Sequence, residues 1–291
     1  MPSTYNNLYL DARRAIRDAG IDNAQVEARE LICHAARKSK EEFLRDLPLY
    51  APSYVEQNLI NLISRRLTGE PVAYLLGEWE FYGLTLEITP DVLIPRPDTE
   101  LLAERAIIIA QTFENGARIL DLCTGSGCVG LAIAAEVPNC RVVLVDISPA
   151  ALDLTKRNIR KTNLCSRVNC LSGNALDTAD AALGHFDLIV CNPPYIPSHV
   201  IPTLAPSVRN FEPTLALDGG FDGLDFYRSV LLHWSTALRP GGCLFFEVGI
   251  AQSDPVARLM LEYGYQNVRA YRDAAGIPRV VAAETPESFK I

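Results

Sequence analysis

The sequence lacks several features that would place it in well-known functional classes. Its eight cysteines include no Cys-x-x-Cys pair and its four histidines are scattered singly, which gives little support for a zinc site or a disulfide framework. No apolar run approaches the roughly 18 residues of a membrane-spanning helix. Residues 1–5 have neither the basic nor the apolar region of a signal peptide. We therefore expect a cytoplasmic protein with free thiols, no metal and no membrane segment.

An excess of basic residues is also absent. The chain has 27 lysines and arginines against 35 acidic residues, a formal net charge of −8, which opposes attraction to a phosphate backbone. Direct binding of nucleic acid is therefore not expected. The 291 residues, 48% of them hydrophobic, suffice for one large α/β domain and a small partner domain. Nothing in the sequence demands a dimer, so we expect a monomer.

A predicted strand, a turn rich in glycine and a predicted helix follow one another in the middle of the chain. The strand is residues 117–122, and the helical pattern is residues 129–136. Between them lies Cys123-Thr124-Gly125-Ser126-Gly127, called here the glycine turn. Glycine permits a positive φ and a close approach of the backbone to a ligand, and the N-terminus of the following helix can receive a carboxylate. The pattern predicts a ligand site at this turn.

Two acidic residues indicate which ligand this turn binds. Gly125-x-Gly127-x-x-Gly130 also satisfies the dinucleotide fingerprint, so a nicotinamide dehydrogenase is one alternative. Asp121, just before the turn, is poorly suited to a pyrophosphate but well suited to the cationic methionine end of S-adenosylmethionine (SAM). Asp146 ends the next predicted strand, residues 141–146, and can accept both ribose hydroxyls. A helix cap is the alternative role for Asp146.

The tetrapeptide Asn192-Pro193-Pro194-Tyr195, called here the acceptor tetrapeptide, follows the buried-strand pattern of residues 186–191. The Asn192 side-chain oxygen and the Pro193 carbonyl can accept both N–H groups of a planar amide or amine. Fixed carbonyl dipoles stabilise the positive charge that appears on nitrogen during methyl transfer. Tyr195 offers a flat face to the planar group. A proline turn in which Asn192 caps backbone groups is the alternative.

The residues before the larger domain are predicted to form a helical domain followed by a linker. Residues 5–19 and 25–36 have helical spacing, and Ser53-x-x-Glu56 reads as a capping box, so residues 1–76 are predicted to form a helical domain. Residues 79–88 alternate around a glycine and predict a β-hairpin within a linker of residues 77–95. Asp98 is a candidate cap for a helix over residues 99–110.

Residues 96–291 are predicted to form the larger domain. Alternating strands and helices, with two final strands near residues 266–271 and 278–283, predict an α/β fold with a mostly parallel sheet and one late antiparallel strand. Arg96 either meets the site entrance or makes a salt bridge that holds the fold. The proline-dense residues 197–213 are loop-like and are interpreted as a lid, with an ordinary long connection as the alternative.

Several motifs together resemble the release factor glutamine methyltransferases, the HemK/PrmC family, and the resemblance covers almost the whole chain. Besides the glycine turn and the acceptor tetrapeptide, the motifs are Arg65-Arg66-x-x-Gly69-Glu70-Pro71, Leu93-Ile94-Pro95-Arg96-Pro97-Asp98-Thr99-Glu100 and Phe211-Glu212-Pro213. The resemblance implies a SAM-dependent methyltransferase of class I, with a Rossmann-like sheet and a small N-terminal helical domain that grips the protein substrate. The implied reaction methylates the side-chain amide nitrogen (N5) of a Gly-Gly-Gln glutamine in peptide chain release factors.

The resemblance also implies residue roles. SAM would be bound by Cys123, Thr124, Gly125, Ser126, Gly127, Asp146, Ala175 and Asn192. The glutamine would be bound by Asn192, Pro193, Pro194 and Tyr195, of which Asn192, Pro193 and Tyr195 would act in catalysis. Cys123 stands where the family usually has glycine, and a cysteine tolerates a positive φ poorly.

Two other functions share parts of this pattern. A nucleic-acid amino methyltransferase acting on adenine N6 uses the same tetrapeptide to hold an exocyclic amine after base flipping. The chain shows no basic segment interleaved with aromatic residues that would support it. A SAM-binding scaffold without catalysis is the other alternative, and its sign would be a degraded acceptor tetrapeptide, whereas residues 192–195 are intact.

Overall fold

The computed structural model describes residues 3–287. Residues 1–2 and 288–291, which the predicted domains 1–76 and 96–291 include, lie outside the described part. The chain forms two compact units. The helical unit extends to Glu78 and includes Ala205–Phe211, and the sheet unit comprises Trp79–Leu204 and the residues from Glu212 onward. The division at residues 76 and 95 stays a prediction.

The elements are numbered in chain order. The helices are α1 (Tyr5–Asp18), α2 (Ala24–Ala36), α3 (Lys40–Asp46), α4 (Ser53–Leu67), α5 (Val72–Leu76), α6 (Glu100–Ala110), α7 (Cys128–Glu136), α8 (Pro149–Lys161), α9 (Pro206–Arg209), α10 (Asp225–His233) and α11 (Ser253–Glu262). The strands are β1 (Glu78–Phe81), β2 (Leu84–Glu87), β3 (Arg118–Leu122), β4 (Arg141–Asp146), β5 (Val168–Ser172), β6 (Phe186–Cys191), β7 (Leu238–Glu247), β8 (Gln266–Arg272) and β9 (Pro278–Glu284).

The helical unit packs the apolar faces of α1 to α5 into one core, with Ile16, Leu31 and Phe43 almost completely buried. The capping box predicted at Ser53 and Glu56 is wrong, because Ser53 is already the first residue of α4 and Pro52 precedes it without a side-chain cap. A reciprocal capping box instead begins α3, where Ser39 and Glu42 each accept the other's backbone N–H. The Ser-x-x-Glu rule therefore holds at the start of α3, where we had not predicted a capping box, and not at the start of α4.

The sheet unit contains one seven-stranded sheet in the order β5-β4-β3-β6-β7-β9-β8. The strands from β5 to β7 are parallel, whereas β9 runs antiparallel to both β7 and β8. The predicted mostly parallel sheet with one late antiparallel strand is therefore confirmed. Because β3 lies next to both β4 and β6, the strand order reverses direction there, and open α/β sheets bind ligands at such a switch point.

Both faces of this sheet are covered, as a mainly parallel sheet requires. Along β3, Ile119 faces a core shared with α6 and α7, whereas Leu120 faces a core shared with α10 and α11, and both are completely buried. The predicted hairpin is confirmed as β1 and β2, which turn at Tyr82 and Gly83, both with positive φ. Its Phe81 and Leu86 pack into the first of these cores.

The segment of residues 197–213 is less irregular than its sequence predicted. It contains a short 3-10 helix at Ile201–Thr203 as well as α9, each beginning next to a proline that favours the first helical turn. Its part Ala205–Phe211 belongs to the helical unit. The lid interpretation stays a prediction. Among residues 3–287, no helix has both the length and the apolar character needed to span a bilayer.

Candidate active site

A cavity of about 350 Å³ opens at the carboxyl ends of β3, β4, β5 and β6. This volume lies in the range of small-molecule sites. Eight of the predicted site residues line it: Cys123, Thr124, Gly125, Ser126, Asp146, Ala175, Asn192 and Pro194. Gly127, Pro193 and Tyr195 do not line it. The structure therefore brings most residues of the glycine turn and two residues of the acceptor tetrapeptide, Asn192 and Pro194, to one cavity.

Asp121 is the last residue but one of β3, just before the glycine turn, and is 2% exposed. Its Oδ2 accepts hydrogen bonds from the Thr124 hydroxyl at 2.6 Å and from the Gly130 N–H at 3.0 Å. Burial nevertheless raises the pKa of Asp121 to about 7, because two neutral donors do not replace the lost hydration. A cation placed at this wall of the cavity would stabilise the carboxylate.

Asp146 is not the cap of α8, because Ser148 occupies that position and accepts the Ala151 N–H, and its role toward the ribose stays a prediction. At the end of β4 its Oδ1 accepts the Ser148 N–H at 2.9 Å, and its Oδ2 accepts the Gly125 N–H at 2.8 Å. The carboxylate thus fixes both the start of α8 and the glycine turn. Each oxygen keeps a lone pair, and the residue lines the cavity, so it remains able to accept hydroxyl groups from a ligand.

Three residues of the glycine turn have a positive φ. Gly125 and Gly127 have φ of 56° and 84°, and Cys123 has φ of 59°. A Cβ added to Gly125 would meet no atom within 4 Å, whereas one added to Gly130 would lie 2.2 Å from Leu144 Cδ2. Gly125 is therefore needed for its conformation and for access to the cavity, and Gly130 for close packing of α7 on β4. Cys123 occupies a position that costs an L-residue about 1–2 kcal/mol.

The acceptor tetrapeptide emerges from β6, whose residues are all buried. Asn192 lines the cavity, and its Nδ2 donates to the Thr99 hydroxyl oxygen at 3.5 Å. The Tyr195 ring packs against the core shared with α10 and α11, and its hydroxyl donates to Glu247 Oε1 at 3.5 Å. Tyr195 is thus turned into the protein, so the flat face that we predicted for the substrate is not part of the cavity wall.

Three distant segments hold the tetrapeptide, and sequence reasoning missed all of them. Gln252 Nε2 donates to the Tyr195 carbonyl at 2.9 Å and to the Gly223 carbonyl at 3.2 Å. A Cβ on Gly219 would lie 2.7 Å from Tyr195 Cα, so only glycine allows that approach. The pair Gly219-Gly220 was a visible signal of a turn, because adjacent glycines mark turns, but it did not show which segment the turn approaches.

Glu247, at the end of β7, is the third missed group. It is 3% exposed, and burial raises its pKa to about 7. Its Oε2 has no hydrogen-bond partner among the side chains and backbone of residues 3–287. A buried carboxylate with an unsatisfied oxygen is costly, and such groups concentrate at functional sites.

The proline-rich residues 94–98 before α6 make one contact that the sequence predicted and one that it did not. Asp98 does not cap α6; its Oδ2 pairs with Arg279 at 2.7 Å, and α6 begins without a side-chain cap. Arg96 forms an ion pair with the almost completely buried Glu212, which also accepts the Ile94 N–H at 3.3 Å. The salt-bridge alternative for Arg96 is therefore confirmed, and it joins two of the motifs that carry the family resemblance.

Further residues also line the cavity. They are Pro90, Asp91, Val92, Leu93, Pro95 and Thr99 from the segment before α6, together with Gly173, Asn174, Leu176, Pro213, Leu215, Ala216 and Phe226. The adjacent Asp121, Cys128, Val129, Ile147, Ser148 and Ala151 complete the lining. In the described residues 3–287 no cluster of three or more His, Cys, Asp or Glu is arranged to hold a metal ion.

Comparison with known proteins assigns the family. Residues 7–77 match the PrmC N-terminal domain, and residues 100–204 match the methyltransferase small domain. The release factor glutamine methyltransferase of Clostridium botulinum is 36% identical over 95% of this chain and 98% of its own length. This chain belongs to the release factor glutamine methyltransferase family. The corresponding enzyme of Cereibacter sphaeroides is 38% identical over 95% of this chain and 98% of its own.

A solved structure supports the fold independently of close sequence similarity. A methyltransferase from Pyrococcus furiosus is 20% identical and aligns with a TM-score of 0.51, covering 78% of this chain and 98% of that protein. The expected fold, a Rossmann-like methyltransferase sheet with a helical N-terminal domain, is confirmed. So is the expected family, that of SAM-dependent glutamine methyltransferases. The dehydrogenase alternative is excluded for this family member.

Proposed function

We propose that this protein transfers the methyl group of SAM to the N5 side-chain nitrogen of the glutamine in the Gly-Gly-Gln motif of peptide chain release factors. The observation that carries the proposal is the joint presence of the glycine turn and Asn192 on the wall of one cavity. A methyl donor at the turn and an amide at Asn192 would then be neighbours. The family membership supplies the identity of the protein substrate.

The residues around the glycine turn suit SAM. Burial holds the pKa of Asp121 near 7 although only neutral donors contact it, so the ammonium of a methionine group would relieve an existing cost. Asp146 retains acceptor capacity for the ribose, and Ala175 and Leu176 offer an apolar wall for a base. The open space above Gly125 allows a ligand to approach its backbone. When bound, SAM would supply a methyl group on its sulfonium, and an in-line nucleophile attacking the methyl carbon would release S-adenosylhomocysteine.

The acceptor tetrapeptide supplies the groups that receive the amide. Asn192 Oδ1 and the Pro193 carbonyl would each accept one N–H of the glutamine carboxamide, which fixes the plane of the amide and aims its nitrogen. As the N–C bond forms, positive charge grows on nitrogen, and the two fixed dipoles stabilise it before the proton leaves to solvent. Tyr195 shapes the slot by anchoring the end of the tetrapeptide in the core.

Alignment of the two reactants is expected to provide much of the acceleration. Well-oriented reactants can gain about 7–11 kcal/mol relative to free solution. The two prolines and the glycine contacts at Gly219 make the acceptor side stiff. The proposal includes action as a cytoplasmic monomer, with the helical unit gripping the release factor and residues 197–213 acting as a lid.

The proposal is tested by offering radiolabelled SAM with one of three acceptors: a release factor, the same factor with its Gly-Gly-Gln glutamine changed to alanine, and duplex DNA. We expect label on the unaltered release factor alone. Label on the DNA would instead support the adenine-N6 function. SAM binding with no transfer to any acceptor would support a scaffold without catalysis.

A further inference from the structure

A polar relay joins the acceptor tetrapeptide to two residues outside it, Thr99 and Glu247. Thr99 stands at the N-cap position of α6, where a threonine hydroxyl normally accepts a backbone N–H, yet it makes no such bond. Its side chain is 1% exposed and lies between Asn192 Nδ2, at 3.5 Å, and the Glu247 carboxylate. The hydroxyl is therefore used by the site and not by the helix.

The direction of hydrogen bonding along this relay follows from the chemistry of its members. An ionised carboxylate only accepts hydrogen bonds, so the Thr99 hydroxyl donates its single hydrogen to Glu247. The Thr99 oxygen then has only lone pairs to offer to Asn192. It consequently selects the Nδ2–H side of the Asn192 amide, which leaves Oδ1 as the atom free for another partner.

Glu247 is suited to this role because it has few competing donors. Its Oε1 receives the Tyr195 hydroxyl at 3.5 Å, whereas its Oε2 makes no hydrogen bond of normal length within residues 3–287 and is therefore the oxygen open to the Thr99 hydroxyl. The charged groups that face it are Asp98 and Arg279, which pair with each other at 2.7 Å. The other titratable neighbours are Cys128 and Tyr227, whose hydroxyl donates to the Glu247 carbonyl at 2.9 Å.

We propose that Thr99 and Glu247 are positioning residues that fix which way the Asn192 amide faces, so that its Oδ1 and not its Nδ2 meets the substrate amide. The proposal rests on the proposed function and deepens it. A flipped Asn192 would present donors to an N–H group, and that contact is repulsive. The Asn192–Thr99 hydrogen bond of 3.5 Å is long, as is common before substrate is bound, and it shortens when the carboxamide is held.

Protonation of Glu247 breaks the relay. A neutral carboxyl can donate, so the Thr99 hydroxyl becomes free to turn its hydrogen toward Asn192 and to favour the flipped amide. Since burial raises the pKa of Glu247 to about 7, the wild-type rate constant for methyl transfer falls as the pH drops from about 8 to about 6. The variant Glu247→Gln has no such titration, so this limb of its pH profile is absent.

The kinetic test uses single-turnover methyl transfer with saturating SAM and release factor. Thr99→Val keeps the shape of the side chain but removes the hydroxyl, and we expect at least about a tenfold loss of rate with the Kd for SAM and the KM for release factor within about threefold. Thr99→Ser restores most of that loss. Thr285→Val is the matched control, because that buried hydroxyl donates to the Arg239 carbonyl at 2.7 Å, away from the cavity lining.

A second readout needs no substrate and so separates this proposal from the proposed function. In protein labelled with ¹⁵N at asparagine, one Nδ2 proton of Asn192 is expected to exchange slowly with solvent in the wild type and in Thr99→Ser, and quickly in Thr99→Val. Equal exchange in all three proteins would overturn the relay, whether or not a release factor is methylated. So would a wild-type single-turnover rate in both Thr99→Val and Glu247→Gln.

Discussion

The glycine turn and the acceptor tetrapeptide face the same cavity but are held in different ways. The glycine turn is fixed by carboxylates on its own strand and on the neighbouring strand, Asp121 and Asp146, through bonds to Thr124, Gly130 and Gly125. The acceptor tetrapeptide is fixed by Thr99, Glu247 and Gln252, which lie at least 52 positions away in sequence. The donor side is therefore a local structure, and the acceptor side depends on the assembled fold.

The largest expected effect comes from a change on the acceptor side that lowers the rate of methyl transfer and leaves SAM binding on the donor side intact. We expect Asn192→Ala to lower the single-turnover rate of methyl transfer at least about a hundredfold, because one transition-state acceptor is lost. The Kd for SAM, measured by calorimetry, should stay within about threefold, since the glycine turn is intact. A variant that turns over at the wild-type rate would show that Asn192 does not hold the acceptor.

The converse change breaks the donor side. Gly125→Val forces a branched residue into φ of 56° and fills the open space next to the cavity, so we expect at least about a thirtyfold weaker Kd for SAM with a folded protein. Gly264→Val is the control, because Gly264 has φ of 85°, open space around it and no place in the cavity lining. Normal SAM affinity in Gly125→Val would refute the assignment of the turn.

A pH effect is expected at the two buried carboxyl groups, one on each side. Burial raises the pKa of Asp121 and of Glu247 to about 7, above the roughly 4 of an unfolded chain, so the folded protein binds more protons between these values. The associated stability is present below about pH 4 and is lost as the pH rises through 7. We expect the free energy of unfolding without SAM to fall by about 4 kcal/mol between pH 5.5 and 8, about 2 kcal/mol from each group.

Denaturant unfolding across this pH range measures that effect. The double variant Asp121→Asn/Glu247→Gln should show a clearly flatter pH dependence than the wild type. Identical slopes for the two proteins would mean that these carboxyl groups do not titrate where their burial implies.

A smaller effect tests the long-range support of the acceptor side. Gln252→Leu keeps most of the side-chain volume but removes the bonds to the Tyr195 and Gly223 carbonyls. We expect the single-turnover rate to fall about tenfold, because a small misplacement of reacting groups lowers the rate strongly, while the Kd for SAM is unchanged. A weaker Kd for SAM with an unchanged rate would reverse the proposed division between the two sides.

The smallest effect concerns a strained residue on the donor side. Cys123 has φ of 59°, where glycine carries no steric penalty, so Cys123→Gly should raise the free energy of unfolding by about 0.5–1 kcal/mol after the entropic cost of glycine. The midpoint of urea unfolding measures it. A lower midpoint would show that contacts of the Cys123 side chain outweigh its backbone strain.

The same contrast explains how much could be predicted from the sequence. The buried strands β4 and β6 were predicted with their observed ends, because short apolar runs flanked by turn residues mark strands locally. Asp121, Gly125 and Asp146 were likewise predicted to form one site, because the strand, turn, helix and strand of residues 117–146 follow one another directly in the sequence. Their individual roles toward ligands stay predictions.

The acceptor side could be predicted only in part. Asn192 carried a motif, but nothing in the sequence near Thr99, Glu247 or Gln252 showed that they meet it, because the pairing of β6 with β7 and the placement of α6 create those contacts. The prediction that Asp98 caps α6 failed for the same reason, since its partner Arg279 lies on β9. Local rules gave the residue types, and tertiary packing decided their partners.

The most direct test of the central claim is a crystal structure of this protein with S-adenosylhomocysteine and a peptide that contains Gly-Gly-Gln. We expect the glutamine nitrogen to lie within hydrogen-bonding distance of both Asn192 Oδ1 and the Pro193 carbonyl, in line with the sulfur at the glycine turn. A glutamine side chain bound away from residues 192–195, or an Asn192 that presents Nδ2 to it, would show that the acceptor tetrapeptide does not hold the amide as proposed.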